Sequence, residues 1–196
     1  MKDSISRKTT YPISPLIAER WSPRSMTGES LSDTDLLPLF EAARWAPSCF
    51  NNQPWMFLYA KRDTEEWELF FDLLIEFNQS WTKKAAALVV VISYKNFYHN
   101  RKPSRTHSFD AGAAWMSLAL EATNRGLVAH GIGGFDYDKA RTVLEIPDDY
   151  QIEAMIAIGK KAPKEMLSPA LVEKEVPRER KPLKEIIIKG KFKRID

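Results

Sequence analysis

From Ala42 to Trp55 the chain reads Ala-Ala-Arg-Trp-Ala-Pro-Ser-Cys-Phe-Asn-Asn-Gln-Pro-Trp. A helix-like run ends at Pro47 and is followed by Ser48, Asn51, Asn52 and Gln53, whose side chains both donate and accept hydrogen bonds. Pro47 and Pro54 restrict the backbone on either side, while Phe50 and Trp55 add flat apolar surface. This combination suits a planar ligand with polar edges. The same residue types also build ordinary turns, so the segment alone leaves both readings open.

Two basic clusters stand near opposite ends of the chain, Arg20-Trp21-Ser22-Pro23-Arg24 and Arg178-Glu179-Arg180-Lys181. Guanidinium groups present a planar fork to phosphate oxygens, and Ser22 adds a hydroxyl between two of them. Taken singly, either cluster reads more readily as solvated surface charge, as arginine is mostly exposed. Gly131-Ile132-Gly133-Gly134-Phe135 lacks the spacing of a dinucleotide fingerprint, but it offers bare backbone N–H groups beside an aromatic ring. A tight turn between strand and helix would use the same residues. His99, His107 and His130 do not fall at metal-ligand spacings, and no nucleophile elbow or H-E-x-x-H helix occurs. Cys49 has no activating base in view and reads as a small side chain packed in its turn.

Taken in order, these segments resemble the FMN-dependent nitroreductase family, over residues 20–192. Arg20-Trp21-Ser22-Pro23-Arg24 is similar to the family's Arg-x-Ser-x-Arg phosphate motif, and Ala46-Pro47-Ser48 through Asn52-Gln53-Pro54-Trp55 to its Ala-Pro-Ser...Asn-x-Gln-Pro-Trp loop. Asn78 with Trp81-Thr82-Lys83-Lys84-Ala85 resembles the segment before its apolar strand, and Asp110-Ala-Gly-Ala-Ala the start of its long dimer helix. Gly133-Gly134-Phe135 looks like its flavin-edge turn, and Arg178-x-Arg180-Lys181-Pro182-Leu183 like its C-terminal phosphate clamp. Trp21 and Pro23 fill variable positions of the first motif, Ala86 stands where many members have proline, and Cys49 replaces a smaller residue or a hydroxyl.

The resemblance implies an α+β, three-layer fold with a central mixed, mainly antiparallel sheet flanked by helices. It implies an intertwined homodimer with two FMN sites at the subunit interface. Arg20, Ser22, Arg24, Arg178 and Arg180 would hold the phosphate and ribityl end, with Trp21 contributing backbone. Pro47, Ser48, Cys49, Asn51 and Gln53 would cover the ring system, partly from the partner subunit. Gly133 and Gly134 would bring a backbone N–H near the flavin N5, and Asn78 would reach the pyrimidine edge or the nicotinamide. The implied activity is hydride transfer from NAD(P)H through bound FMN to an electron-poor acceptor such as a nitroaromatic or quinone, with no catalytic side chain. The flavin carries the chemistry and the protein supplies placement. Phe50, Trp81, Phe97 and Tyr98 would wall the acceptor cavity, although large aromatics are more often core. A flavin-binding storage or sensor protein would use the same residues without turnover, and some relatives fragment flavin or dehalogenate aromatics instead.

The elements that must position these residues follow from periodicity and punctuation. A short helix is expected over residues 11–18. A second helix should run to Trp45 with Leu36, Phe40 and Ala43 on its apolar stripe, and Pro38 favours Asp35 over Ser32 as its cap. Residues 55–60 and 87–93 read as buried strands, with an amphipathic helix over residues 64–77 between them. A buried helix capped by Asp110 should run to Arg125, followed by a strand and the glycine turn within residues 126–134. Residues 138–144 read as helix and 151–158 as strand, and the β-prone Glu185-Ile186-Ile187-Ile188 closes the chain.

With 196 residues, 44% hydrophobic and 28% charged, the chain can bury one substantial core. The expectation is a single domain over residues 1–196, flexible over 1–10, with a C-terminal arm over 173–196 that packs on a partner subunit. A net charge of +3 with interleaved signs argues against a nucleic-acid partner. The single cysteine excludes an intramolecular disulfide and suits a reducing compartment, hence the cytoplasm. No signal-peptide core or apolar run of bilayer length occurs, so no membrane partner is expected.

Overall fold

The computed structural model describes residue 7 and residues 9–194. The expected flexibility of residues 1–10 therefore falls largely outside the described residues. Its framework is the strand β2 (Ala87–Tyr94), apolar from Ala87 to Ile92 and buried at every residue. Leu88, Val90 and Ile92 point into one core cluster and Ala87, Val89 and Val91 into another. A strand that lacks polar alternation needs cover on both faces. Here α2 (Asp33–Arg44) and α5 (His107–Asn124) supply it on one side, and α3 (Trp67–Phe71), α4 (Glu76–Thr82) and α6 (Tyr137–Val143) on the other. The architecture is α+β in three layers.

Four strands run in the order β1-β2-β4-β3, with β1 at Trp55–Lys61, β3 at Leu127–Ile132 and β4 at Tyr150–Lys160. All three pairings are antiparallel, so the sheet is not mixed among the described residues. Trp55 pairs with Ser93, Ser93 with Gln151, and Ile132 with Met155. The loop before β1 and the turn after β3 consequently open at the same end of the sheet, but on its two opposite edges. Between Val91 and Ile92 the β2–β4 register shifts, leaving Glu153 unpaired. Its carboxylate accepts from Ser93 and Ser108, closing the sheet end onto the first turn of α5.

Several expected boundaries shift for physical reasons. The first helix, α1, covers Pro15–Glu19 and excludes residues 11–14. Helix α2 begins one residue after Ser32, whose hydroxyl accepts from the Asp35 amide, so Ser32 is the cap in place of Asp35. Pro38 then lies inside the helix, and Leu39 is buried where Phe40 was expected. Residues 64–77 do not form one helix. Leu74 bridges to Phe135 and the Ile75 amide donates to the Gly134 carbonyl, which divides the segment into α3 and α4. Helix α5 starts at His107, and Asp110, fully inside it, turns its carboxylate outward to the Cys49 amide instead of capping. Strand β1 is half-buried because it is an edge strand. Residues 185–188 form no strand; Leu183–Glu185 is a single 3₁₀ turn, and Ile186 and Ile187 are exposed.

Pro38 breaks the hydrogen bond its position would make to the Thr34 carbonyl in α2. Pro38→Ala should restore that bond and stabilise the protein by about 1–3 kcal/mol, read as a higher urea midpoint at unchanged slope. Ser32→Ala should lower the midpoint by about 1 kcal/mol of stability.

Candidate functional site

The N-terminal basic segment folds against β3 and the start of the C-terminal segment. Glu175, with its side chain 3% exposed, is the anchor. One carboxylate oxygen accepts from the Arg24 amide at 2.6 Å and the Ser25 amide at 2.9 Å, and the other lies 3.8 Å from the Arg24 guanidinium. The Ser25 hydroxyl donates to the Pro163 carbonyl at 2.6 Å. On the other side the His130 Nδ1–H donates to the Pro23 carbonyl at 2.9 Å, with its ring packed on Trp81 at 4.6 Å between centroids. These contacts bring Arg20, Trp21, Ser22, Arg24, Arg178 and Arg180 around one cavity of about 200 Å³. Arg20 and Ser22 are within 3.3 Å of one another across its floor.

Four further lining residues, Arg7, Lys174, Val176 and His130, carried no sequence signal that set them apart. Lys174 is one of many lysines in a charged stretch, Arg7 precedes every recognisable motif, and His130 sits inside an apolar strand. The cavity is strongly cationic. Burial first, then Arg180 and Arg7, push the Arg20 guanidinium below its ordinary range. Among the described residues the buried Arg24 Nε finds no hydrogen-bond partner. Like charges converging on unfilled donors form a site for an oxyanion.

Beyond His130, β3 ends in the Gly133–Gly134 turn. The turn is fixed through its carbonyls: Gly134 accepts from Asn78 Nδ2 at 2.8 Å and from the Ile75 amide at 3.3 Å. Among the described residues neither glycine amide has a hydrogen-bond acceptor. A side chain at Gly134 would collide with Asn78 Nδ2 at 2.7 Å and with Ile75 at 2.9 Å, whereas Gly133 faces open space. The Asn78 carbonyl oxygen accepts from the Trp81 indole at 3.2 Å, so this amide braces both the turn and the buried indole.

The loop of residues 47–53 is at the other sheet edge. It is tied down by its own side chains: the Gln53 amide donates to Ser48 Oγ at 3.0 Å, Gln53 Nε2 to the Asn51 carbonyl at 3.0 Å, and the Cys49 amide to Asp110 at 3.1 Å. Asn52 is buried, donating to the Asn96 carbonyl and accepting from the Tyr98 amide. Phe50, Asn51 and Gln53 all take positive φ, an arrangement disfavoured for non-glycine residues. Phe50 is thrust outward at 81% exposure, edge-on to Phe97. Pro47 is also exposed, and Trp81 belongs to the core. The arginine cavity and Gly133–Gly134 border β3, and the loop borders β1. Three strand spacings, about 14 Å, separate those edges.

A cationic cavity followed along one strand by free backbone donors fits a phosphorylated ligand with a flat, acceptor-edged body. Comparison with known proteins agrees with that geometry. The family model described as the nitroreductase family matches residues 17–80 and 64–160. This chain belongs to the nitroreductase family. A crystal structure described as an oxidoreductase containing FMN is 46% identical, with a TM-score of 0.92, covering 98% of this chain and 99% of that one. A provisionally named nitroreductase of Desulfovibrio desulfuricans, solved in complex with FMN, is 26% identical at a TM-score of 0.72, covering 94% of this chain and 100% of that one. A provisionally named NADH dehydrogenase/NAD(P)H nitroreductase of Streptomyces coelicolor is 25% identical over 168 residues, covering 76% of this chain and 84% of its own. Membership makes the chain an oxidoreductase of nitroreductase type. Among the described residues no three His, Cys, Asp or Glu side chains converge as a metal would need, and no helix is long and apolar enough to cross a membrane.

Burial, opposed by the bond to Pro23 and reinforced by Arg24, pushes the His130 imidazole down to about 4. Between pH 6.5 and 4 the unfolded chain binds a proton there that the folded chain refuses, so stability rises with pH across that window. It should be lost as pH falls from 6.5 toward 4, by about 3 kcal/mol for this residue. Urea unfolding in phosphate-free buffer at pH 7 and pH 4 should show wild-type protein losing that much more stability than His130→Asn, which keeps a donor for Pro23.

Proposed function

We propose that this protein is an FMN-dependent oxidoreductase that passes hydride from NAD(P)H to an electron-poor acceptor such as a nitroaromatic or a quinone. The observation that carries this reading is the cavity in which Arg20, Ser22, Arg24, Arg178 and Arg180 converge, with His130 of β3 in its lining and the free amides of Gly133 and Gly134 just past the end of that strand. Its cations and the unpaired Arg24 Nε match the charge and oxygen geometry of a phosphomonoester. The exposed Gly133 backbone matches a ring edge with acceptor atoms. When bound, FMN supplies the hydride chemistry, and reduction by NAD(P)H is further supported by the name of the Streptomyces coelicolor relative.

The residues have separate tasks in this reading. The arginines neutralise the phosphate and fix the long axis of the cofactor. Gly133, held by Asn78 and Ile75, aims a backbone donor at the ring edge without a side chain in the way. Ser48, Cys49, Asn51 and Gln53 offer a polar surface against a ring face, and Phe50 with Phe97 offers apolar cover to a flat acceptor. Stacking of donor and acceptor in turn requires placement more than proton transfer.

The separation of the loop from the arginine cavity favours a site completed by a second copy of the chain, as a homodimer. Phe109 at 80% exposure on α5 and Phe192 at 82% in the C-terminal segment supply apolar surface for such contact. That contact would give the segment over 173–196 its packing partner. A cytoplasmic setting suits both the lone thiol and the nicotinamide donor.

Arg178 and Arg180 are exposed and bind no carboxylate among the described residues, so their removal should leave the fold intact. Arg178→Ala and Arg180→Ala should each weaken FMN retention by about 1.5–3 kcal/mol, measured from released flavin after dialysis. Unchanged occupancy in both would refute the phosphate assignment. Purified protein should be yellow and bleach anaerobically with NADH or NADPH; retained flavin that neither nicotinamide reduces would mark a binding protein without turnover. Sedimentation of the flavin-loaded protein should give twice the chain mass, and a flavin-retaining monomer would refute the shared site.

A further inference from the structure

Arg7 is not needed to explain the fold, yet it reaches the arginine cavity from well before the first motif. Its Nη1 donates to the Arg20 carbonyl at 3.0 Å, and its buried Nε has no partner among the described residues. It lines the cavity together with Arg20 and Arg180. Burial and then Arg180 hold its guanidinium below the ordinary range, with Glu179 acting in the opposite sense. The best-placed buried acid, Glu175, already serves Arg24 and Ser25. The segment from Arg7 to α1 also has little apolar anchorage: Tyr11 is 64% and Ile13 49% exposed.

Building on the FMN reading, we infer that Arg7 is a fifth guanidinium of the phosphate site and that the N-terminal segment carrying it is a strap whose closure is coupled to the bound phosphomonoester. Three guanidiniums repel one another when they face a common cavity, and a phosphate of charge about −1.5 to −2 turns that repulsion into attraction. A segment held chiefly by polar contacts is therefore fastened by the anion. Reciprocity of linkage then requires the strap to tighten the anion by the same factor. An ordinary structural staple between Arg7 and the Arg20 carbonyl would lack this coupling, because it would serve any ligand or none.

Riboflavin has the ring system and ribityl chain of FMN without the phosphate, which separates the two accounts. Apo-protein titrated by flavin fluorescence should bind FMN about tenfold more weakly in Arg7→Ala than in wild type, with riboflavin affinity unchanged and most FMN affinity kept in Arg7→Lys. Trypsin should cut after Arg7 or Lys8 in the apo and riboflavin-bound protein, and several-fold more slowly with FMN. Unchanged FMN affinity in Arg7→Ala alongside a loss in Arg180→Ala would overturn the strap while sparing the FMN site. Equal losses for FMN and riboflavin would reduce Arg7 to a staple and overturn it too. Wild-type protein that binds neither flavin would overturn the FMN reading and the strap together.

Discussion

Glu175 accepts two backbone amides of the N-terminal motif and faces the Arg24 guanidinium, from a position 150 and 151 residues away in sequence. A buried carboxylate is costly unless its oxygens are met by donors and its charge by a cation. Here one oxygen accepts both amides, while the other makes no hydrogen bond among the described residues and meets only the Arg24 charge at 3.8 Å, which makes the docking of the C-terminal segment on the N-terminal motif specific in register. Glu175, held three and five residues before them, brings Arg178 and Arg180 to the cavity that Arg20 lines. The cationic cavity is thus a product of chain closure, and either arginine cluster without the other would be solvated surface.

The rest of the frame serves this closure. The apolar strand β2 demands helices on both faces, and those helices fix where the strand ends emerge. On one side α4 sends Asn78 to brace Gly134; on the other α5 sends Asp110 to hold Cys49. In both cases a side chain near a helix start secures a loop by capturing its backbone. The protein presents positioned backbone donors and fixed positive charge, and has little acid–base machinery of its own at these loops, which suits chemistry performed by a bound cofactor.

What the sequence disclosed and what it hid divide along physical lines. The arginine motifs, the polar loop and the glycine turn were legible because each is a local pattern of unusual residues. The strand β2 was legible because nothing else in the chain is so uniformly apolar. Glu175 was not, since nothing local distinguishes it from Glu173 or Glu179; its role is set by partners far away in the chain. The division of residues 64–77 into two helices was hidden for the same reason, because a bridge to Phe135 imposes it. The start of α2 was hidden because Pro38 argues locally against a cap at Ser32, whereas burial of Leu36 and Leu39 offsets the cost of a proline inside the helix. His130 and Arg7 were hidden because their significance lies in burial and in the company of other charges.

The position of the polar loop and the arginine cavity on opposite edges of one sheet has a genetic corollary. If each site is assembled from the β3 edge of one chain and the β1 edge of another, lesions in the two edges belong to different complementation groups although they lie in one gene. A mixed dimer of a chain defective in its arginines and a chain defective in its loop would place both lesions in the same site and leave the other site whole. Two inactive alleles would then restore partial activity to each other, and a heterozygote would hide what each homozygote reveals.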